Sequence, residues 1–350
     1  MRKVDLNIVS RSAHCMQIIT GFHMLEQQGL IELDIHDVSG DSKKYPSNNM
    51  VEICVDNKVI AFDVSDGYPY GNRVMVMENY LDEGCDYYFK RSFSEGKNRK
   101  YVSAENLHKI KPLGFNYYVT YQDNSWDSSI NSRSFRKRLN RMFSSHKGYV
   151  YEYESSPNFD ENKKEQPNII FCTRLWNPAE TEDCKEAQTR FEINKMRMEI
   201  VEHIQKQYGS NFVGGIRIDD YSKKVCPSNL LLAKSISHQA NYIKLMKQAD
   251  ICVGSMGLHE SIGWKTGEYI AASRAIINEK FHYQVPGDFE IGRNYLSYET
   301  TEECLAAIQY LIDKPHKIRE MQEYNNKYYI KYLRPDKLVW NALNSALGGF

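Results

Sequence analysis

The chain has 350 residues, and at about 150 residues per domain this length predicts two domains. Hydrophobic residues make up 41% of the sequence, which is enough to build cores and argues against a chain that is disordered throughout. Lysine plus arginine equals aspartate plus glutamate at 45 each, so no basic excess indicates a nucleic-acid partner, and we expect none.

The amino terminus and the cysteines indicate the compartment. Asp5, Asn7 and Arg11 interrupt the first residues, so the apolar segment of a signal peptide is missing. No run approaches the ~18 apolar residues that a transmembrane helix needs. The eight cysteines include no Cys-x-x-Cys pair, so we expect neither disulfides nor structural zinc. These features predict a cytoplasmic protein with reduced thiols.

The first half of the chain alternates predicted strands and helices, which is typical of an α/β layer. A strand at residues 4–9 is followed by a loop and an amphipathic helix that Gly29 ends. Residues 31–38 alternate as a second strand. Residues 51–67 predict a hairpin with Asp56-Asn57 at its turn, and residues 85–93 contain a further strand.

The same alternation restarts in the second half. Residues 155–167 are polar and flanked by prolines, so they predict a linker between two domains. The predicted strands after this linker are residues 168–174, 211–216, 249–255 and 275–279. The predicted helices are residues 187–208, 238–248, 263–274, 301–313 and 335–347. Two such units predict two Rossmann-like domains that face a cleft.

Residues 249–279 are the most informative stretch. A buried strand ends at residues 254–255, a loop runs from Gly257 to Gly263, and the next helix carries Glu268. Ligands of open α/β sheets bind at the carboxyl ends of strands, and N–H groups at a helix start favour phosphate, so we expect this loop to bind a phosphorylated ligand. Glu260 and Glu268 are spaced to address hydroxyl groups at opposite ends of one ligand, including a ribose. Two solvated carboxylates are the alternative.

The Glu260-x7-Glu268 pair, followed by small residues at 271–273 and a strand at 275–277, resembles the donor-site motif of retaining glycosyltransferases of the GT-B fold. The similarity covers residues 168–315 and is only general in the first half. In this family the first glutamate lies beside the donor sugar and the second binds the nucleotide ribose. The resemblance therefore implies a catalytic-site position for Glu260 and nucleotide binding by Glu268.

The resemblance also implies a domain plan. Residues 1–160 are expected to form the acceptor domain, and residues 166–333 the nucleotide-sugar donor domain. The last segment, residues 334–350, is expected to form a helix that packs back on the first domain. The fold class implied is α/β and GT-B-like, with two Rossmann-like domains around a central cleft.

Arg174 ends the first strand of the second unit. The family often places an arginine here to neutralise the donor diphosphate, with a lysine about five residues later. Pro178 and Glu180 occupy that region instead, and Lys265 is the candidate for the second charge. Fixed cations at a diphosphate remove the need for a metal ion, so we expect no metal and no cofactor. The alternative is that Arg174 pairs with a surface carboxylate and Lys265 is solvated.

The first unit offers three candidates for the acceptor side. His14 follows the first strand, where a GT-B enzyme closes its cleft, and an imidazole there suits a general base near neutral pH. The alternative is a helix-capping region with Ser12 as the N-cap. Asp63 and Asp66 flank the end of the hairpin and either bind acceptor hydroxyl groups or make Asx-turn bonds.

Residues 132–148 form a local basic cluster without an acidic residue, and apolar residues recur in it at helical spacing. This pattern is typical of a helix on an anionic membrane surface. It is equally typical of an ordinary helix that packs its apolar face on the core.

These features and the resemblance predict a glycosyltransferase that moves a sugar from a nucleotide-sugar donor to a glycan or lipid-linked glycan in polysaccharide biosynthesis, of the capsule or lipopolysaccharide type. The resemblance implies that the enzyme retains the configuration of the sugar. We expect it in the cytoplasm, with peripheral contact to the inner face of the membrane. No nucleophile for double displacement is evident, which favours same-face attack assisted by the departing phosphate. Two alternatives stay open: a nucleotide-sugar epimerase on the same scaffold, and a non-catalytic nucleotide- or sugar-binding relative.

Overall fold

A computed structural model of the chain describes residues 1–69, 72–127, 148–160 and 166–350. The basic segment at residues 132–148 lies outside the described residues except for Gly148. Two separate sheets, one of six strands and one of five, organise the two halves of the chain. None of the described helices has the length and apolar character needed to cross a bilayer.

The first sheet has the strand order β2-β1-β3-β4-β5-β6. Its strands are β1 (Arg2–Ile8), β2 (Ile31–Asp37), β3 (Met50–Val55), β4 (Lys58–Asp63), β5 (Cys85–Lys90) and β6 (Ile110–Pro112). Strand β3 runs antiparallel to both of its neighbours, and the other described pairs are parallel. The carboxyl ends of β1 and β4 therefore meet at one edge of the sheet.

Four described helices accompany this sheet: α1 (Met16–Gln27), α2 (Asn72–Asp82), α3 (Glu95–Tyr101) and α4 (Val150–Tyr153). Helix α1 ends just before Gly29, whose φ of +70° places it in the left-handed region that glycine favours. The predicted hairpin is confirmed as β3 and β4, joined by Asp56 and Asn57 with φ of 51° and 59°. Positive φ at both turn residues matches the right-handed twist of the flanking strands.

The second sheet is parallel throughout the described pairs, in the order β11-β10-β9-β7-β8. Its strands are β7 (Ile169–Thr173), β8 (Phe212–Ile216), β9 (Ile251–Gly254), β10 (Ala275–Glu279) and β11 (Tyr295–Tyr298). Strands β7 and β9 are buried at every position, as expected for a parallel sheet with covered faces.

The helices of the second unit are α5 (Cys184–Tyr208), α6 (Ser222–Val225), α7 (Gln239–Gln248), α8 (Trp264–Ala271), α9 (Thr301–Asp313) and α10 (Pro315–Tyr328). Helix α5 ends at Gly209, as the sequence predicts. A π-helical turn at Tyr329–Leu333 connects α10 to the last helix, α11 (Pro335–Leu347).

Helix α11 crosses to the first unit and packs against α1. A Cβ on Gly21 of α1 would collide with the backbone oxygen of Pro335, so the two helices approach each other as closely as a glycine allows. Gln17 donates a hydrogen bond to the carbonyl of Leu333 over 3.1 Å, and Gln28 donates to Asp336 over 3.2 Å. This contact ties the end of the chain to its beginning.

The described part of the predicted linker is fastened to the second unit by Arg274. This arginine is fully buried, and it donates hydrogen bonds to the carbonyl of Ser156 over 2.8 Å and to the Asn158 side chain over 2.6 Å. Gln322 of α10 accepts hydrogen bonds from the backbone N–H groups of Asn158 and Phe159. The chain therefore enters the second unit along a defined path.

Candidate active site in the interdomain cleft

A cleft of about 1460 Å³ lies between the two units, where the carboxyl ends of β1 and β4 face those of β7 and β9. Ligands of open α/β sheets bind at such edges. Seven of the eight predicted site residues line this cleft: His14, Asp63, Asp66, Arg174, Gly257, Lys265 and Glu268. The eighth, Glu260, is not among the residues that line it.

Two arginines stand side by side at the end of the second sheet. Arg174 directly follows β7, and Arg217 directly follows β8, with Thr173 and Ile216 paired in register. Partial burial, together with the positive charge of Arg217, lowers the pKa of Arg174. The charges of Asp219, Asp66 and Glu180 oppose this lowering, so Arg174 lies in a field of both signs.

Lys265 adds a third cation in the first turn of α8. Its ammonium group lies 3.8 Å from the centre of the Tyr242 ring, and the guanidinium of Arg174 lies 3.6 Å from the centre of the Trp176 ring. Among the residues that the structure describes, no carboxylate forms an ion pair with Arg174, Arg217 or Lys265. The aromatic contacts position Arg174 and Lys265 without neutralising them.

Glu268 brings a buried carboxylate to the same wall. It lies inside α8, and the hydroxyl group of Tyr242 in α7 donates a hydrogen bond to it over 3.0 Å. Burial raises the pKa of Glu268, while the charge of Lys265 and the Tyr242 hydrogen bond oppose that rise. A buried carboxylate at a cleft is a strong acceptor for ligand hydroxyl groups.

Arg197, which the sequence analysis did not identify, fastens the loop after β9. Its buried guanidinium donates hydrogen bonds to the carbonyls of Arg174 and Met256 and to the Ser255 hydroxyl group, over 2.5, 2.6 and 3.0 Å. The Glu279 carboxylate accepts a hydrogen bond from the backbone N–H of Met256 over 2.6 Å. Burial lowers the pKa of Arg197 to about 10, so it stays charged at neutral pH. The ends of β7 and β9 are thereby fixed to each other.

Gly257 lies in this loop, where a Cβ would require the Ser261 side chain to move. A Cβ at this position would lie 2.5 Å from the Ser261 hydroxyl oxygen, and the Gly257 N–H donates to the Ser261 carbonyl over 2.8 Å. The loop is therefore tightly closed on itself beside the cleft.

Glu260 lies at a contact between the units. Its carboxylate accepts a hydrogen bond from Lys97 of α3 over 2.6 Å, and this bond lowers the pKa of Glu260. Tyr283 donates to the carbonyl of the preceding His259 over 2.8 Å. Both His259 and Glu260 have positive φ, at 57° and 60°, which orients the turn towards this contact. The role of Glu260 beside a donor sugar stays a prediction.

His14 reaches the cleft from the first unit and contacts Trp264 of α8, with ring centres 4.5 Å apart. Its Nδ1 atom is buried and has no hydrogen-bond partner among the described residues. Burial lowers the pKa of His14, the charge of Arg91 lowers it further, and Asp66 opposes them. The imidazole is therefore neutral at pH 7, which is the form that accepts a proton.

Asp63 and Asp66 are each paired with a cation. Asp63 is buried and accepts hydrogen bonds from Lys90 and Tyr88 over 2.8 and 2.9 Å. It also accepts one from the Ser65 N–H over 3.0 Å, which is the Asx-turn bond given above as the alternative. Asp66 pairs with Arg91 over 2.9 Å. Binding of acceptor hydroxyl groups by these aspartates stays a prediction.

The cleft also contains residues that the sequence analysis did not identify. Arg217 follows a predicted strand just as Arg174 does, so the same strand-end argument could have found it. Trp176 and Trp264 line the cleft with buried indole N–H groups that have no partner among the described residues. No sequence pattern distinguishes these tryptophans from core residues.

One group of possible metal ligands lies away from the cleft. Asp5, Asp34 and His36 on β1 and β2 lie close enough to share an ion, which no other group among the described residues does. None of the three lines the cleft, and Lys3 lies 3.6 Å from the Asp5 carboxylate.

Comparison with known proteins gives the fold a name. No protein-family model matches the sequence, and neither does a curated protein. The crystal structure of Anabaena HepE in complex with UDP-glucose matches with a TM-score of 0.51 and 10% identity, over 99% of this chain and 100% of that chain. The S. aureus MnaA–UDP co-structure matches with a TM-score of 0.49 and 10% identity, over 100% and 98% of the two chains.

The chain has a GT-B-like fold. The two sheets, the cleft between them and the match to HepE over almost the whole of both chains agree with the architecture that the sequence predicts. The predicted fold class is therefore confirmed. At 10% identity this likeness concerns the fold alone.

Proposed function

We propose that this chain is a glycosyltransferase that binds a nucleotide-sugar donor in its second domain and an acceptor in its first. The observation that carries this proposal is the grouping of three cations without ion partners in the described chain, Arg174, Arg217 and Lys265, beside the buried carboxylate of Glu268. Cations suit a diphosphate, and a carboxylate suits the vicinal hydroxyl groups of a ribose. A nucleoside diphosphate carries both groups in one molecule.

The cations supply the charge that the reaction requires. When the sugar leaves its donor, negative charge develops on the departing diphosphate, and fixed positive groups stabilise it. This supports transfer without a metal ion. Because HepE was crystallised with UDP-glucose, UDP-sugars are the first donors to test with this chain.

Retention of configuration is proposed from the resemblance of the Glu260-x7-Glu268 pair to the donor-site motif of retaining enzymes. Double displacement needs a carboxylate that is free to attack the sugar carbon. Asp63 is bound by Lys90, Asp66 by Arg91, and Glu268 is assigned to the ribose. Given retention, the lack of a free carboxylate among the described cleft residues supports attack from the same face that the diphosphate leaves, with the protein positioning the two substrates.

On the opposite wall, His14 is proposed to take the acceptor proton. Its imidazole is neutral at pH 7, and its ring packs against Trp264 of the donor domain. The base would therefore be in place only when the two domains are together, which limits loss of the activated sugar to water.

The acceptor is proposed to be a glycan or lipid-linked glycan of a polysaccharide pathway. The basic composition of residues 132–148 supports binding of the enzyme to the inner face of an anionic membrane, where lipid-linked acceptors lie.

The test is calorimetric titration of the full chain with UDP, ADP and GDP. At least one of them is expected to bind, and Arg174→Gln and Arg217→Gln are each expected to weaken it about tenfold, the loss of one charge-assisted hydrogen bond. Arg99→Gln, at an exposed position of α3 outside the cleft, is the matched control. Absence of nucleotide binding, or unchanged affinity in both variants, contradicts the proposal.

A second incubation separates transfer from epimerisation. The donor that binds is incubated without an acceptor, and the sugar is analysed by NMR. An unchanged or slowly hydrolysed donor agrees with a transferase, while a new epimer of the nucleotide-sugar shows the alternative activity.

A further inference from the structure

Three loops of the first domain meet beside His14 and form one wall of the cleft. The Ser12 hydroxyl group donates a hydrogen bond to the Asn49 side chain over 2.8 Å. The Asn49 carbonyl accepts one from the N–H of Val64 over 3.0 Å. The loop after β1, the loop before β3 and the loop after β4 are therefore joined, and residues 46–49 line the same cleft as the proposed base.

Arg73 presents its guanidinium to this wall from the start of α2. It donates hydrogen bonds to the carbonyl of Tyr45 over 2.9 Å and to the side-chain oxygen of Asn48 over 3.0 Å. Both acceptors are neutral. A guanidinium has five N–H donors in a fixed plane, so these two bonds orient the group and leave further donors for a ligand.

The other cations of this wall are already neutralised. Lys90 pairs with Asp63 over 2.8 Å, and Arg91 pairs with Asp66 over 2.9 Å. Within the described residues, no carboxylate lies within ion-pair distance of Arg73. Among the described residues that line this wall, Arg73 is therefore the cation without an ion-pair partner.

The neutral groups around Arg73 also suit an anion. Ser47 and Ser65 share a hydrogen bond, and both line the cleft together with Arg73. Hydroxyl groups and a guanidinium are common donors to phosphate and carboxylate oxygens.

We propose that Arg73 and the loop at residues 45–49 form a subsite for an anionic group, a phosphate or a carboxylate, on the acceptor. The preferred acceptor is therefore a negatively charged sugar. This proposal rests on the proposed function, since only a transferase has an acceptor. The donor diphosphate does not need Arg73, because Arg174, Arg217 and Lys265 serve it on the opposite wall, and the two protein contacts that orient Arg73 lie within the first domain.

The test is calorimetry on the full chain saturated with UDP. Glucose 6-phosphate, glucuronate and glucose are titrated in turn, so the phosphate and the carboxylate are compared with a neutral sugar. At least one charged sugar is expected to bind about tenfold more tightly than glucose, the effect of a charge-assisted hydrogen bond. Added salt is expected to reduce this preference, since the cleft is open to solvent.

Variants assign the preference to Arg73. Arg73→Gln is expected to bind charged sugars only as well as glucose and to leave UDP affinity unchanged. Arg73→Lys keeps the charge without the fork geometry, so it is expected to retain part of the preference. If the glutamine variant melts at a much lower temperature than the parent, the sugar preference of the lysine variant is compared with that of the parent. Arg99→Gln is the control that should change nothing.

Three results overturn the proposal. The first is equal binding, or no binding, of charged and neutral sugars by the UDP-saturated parent. The second is a charge preference that survives in Arg73→Gln. The third is weaker UDP binding in Arg73→Gln, which assigns the arginine to the donor. Failure of the parent to bind any nucleoside diphosphate is a separate result, and it contradicts the proposed function instead.

Discussion

Replacing Glu268 by glutamine should lower nucleotide affinity without lowering protein stability. Glutamine keeps the volume and can accept the hydrogen bond that Tyr242 donates over 3.0 Å, but it lacks the charge that a ribose hydroxyl group binds. A hydrogen bond to a charged group contributes about 1.5–3 kcal/mol, so UDP affinity is expected to fall by roughly 10- to 150-fold.

Stability should not fall with it. Burial raises the pKa of Glu268 above its ordinary value of 4.5, so the folded chain binds this proton more tightly than the unfolded chain. Ionisation therefore costs stability as the pH rises through the folded pKa, and at pH 7 that cost is present in the parent. The neutral variant removes it, and its melting temperature at pH 7 is expected to equal or exceed that of the parent.

The assay is UDP calorimetry together with thermal unfolding at pH 7. Glu154→Gln is the matched control, because Glu154 also accepts a hydrogen bond from a tyrosine hydroxyl group, that of Tyr329 over 2.8 Å, yet does not line the cleft. The control is expected to bind UDP like the parent. Unchanged UDP affinity in Glu268→Gln would refute the ribose assignment. An affinity loss that accompanies a large drop in melting temperature would refute the claim that the carboxylate acts on the ligand.

Three further predictions follow from the site and the sequence. His14→Ala is expected to lower transfer by about 10²–10⁴-fold at unchanged UDP affinity. Burial lowers the pKa of His14 from 6.5, so the parent's transfer rate should fall on the acid side only below pH 6.5. This fall should be absent from the pH–rate profile of the variant. A fall in the parent that begins above pH 6.5 contradicts the assignment. Glu260→Ala should lower the rate of transfer and leave UDP affinity unchanged. Lys97→Met removes the ion partner of Glu260. If it causes the same loss of transfer, Glu260 acts through the interdomain contact and not on the donor sugar. In vesicle sedimentation, the chain should bind anionic but not zwitterionic vesicles, and high salt should weaken this binding. Binding that salt does not affect, or no binding, contradicts the membrane interpretation of residues 132–148.

Much of the fold could be predicted because its signals are local. The helix at residues 301–313 and the last helix at residues 335–347 have the predicted bounds, and Gly29 and Gly209 follow the helices that they were expected to end. The hairpin turn at residues 56–57 was readable because few residues tolerate positive φ. The antiparallel setting of β3 against β1 was not readable, since strand order depends on long-range pairing.

The site could be predicted only in part, for a similar reason. The strand-end rule and the family resemblance selected Arg174, Lys265 and Glu268, and all three line one cleft although Arg174 is far from the other two in sequence. The rule could not show that Lys97 forms an ion pair with the carboxylate of Glu260, because the two residues belong to different domains. Nor could it show which charges remain uncompensated, since a charge balance needs every neighbour in space.

The most direct test of the donor site is a crystal structure of the chain with UDP. We expect the diphosphate oxygens within hydrogen-bond distance of at least two of Arg174, Arg217 and Lys265, with the ribose hydroxyl groups on Glu268. UDP bound elsewhere, or a diphosphate in the cleft that none of these cations touches, would contradict this expectation.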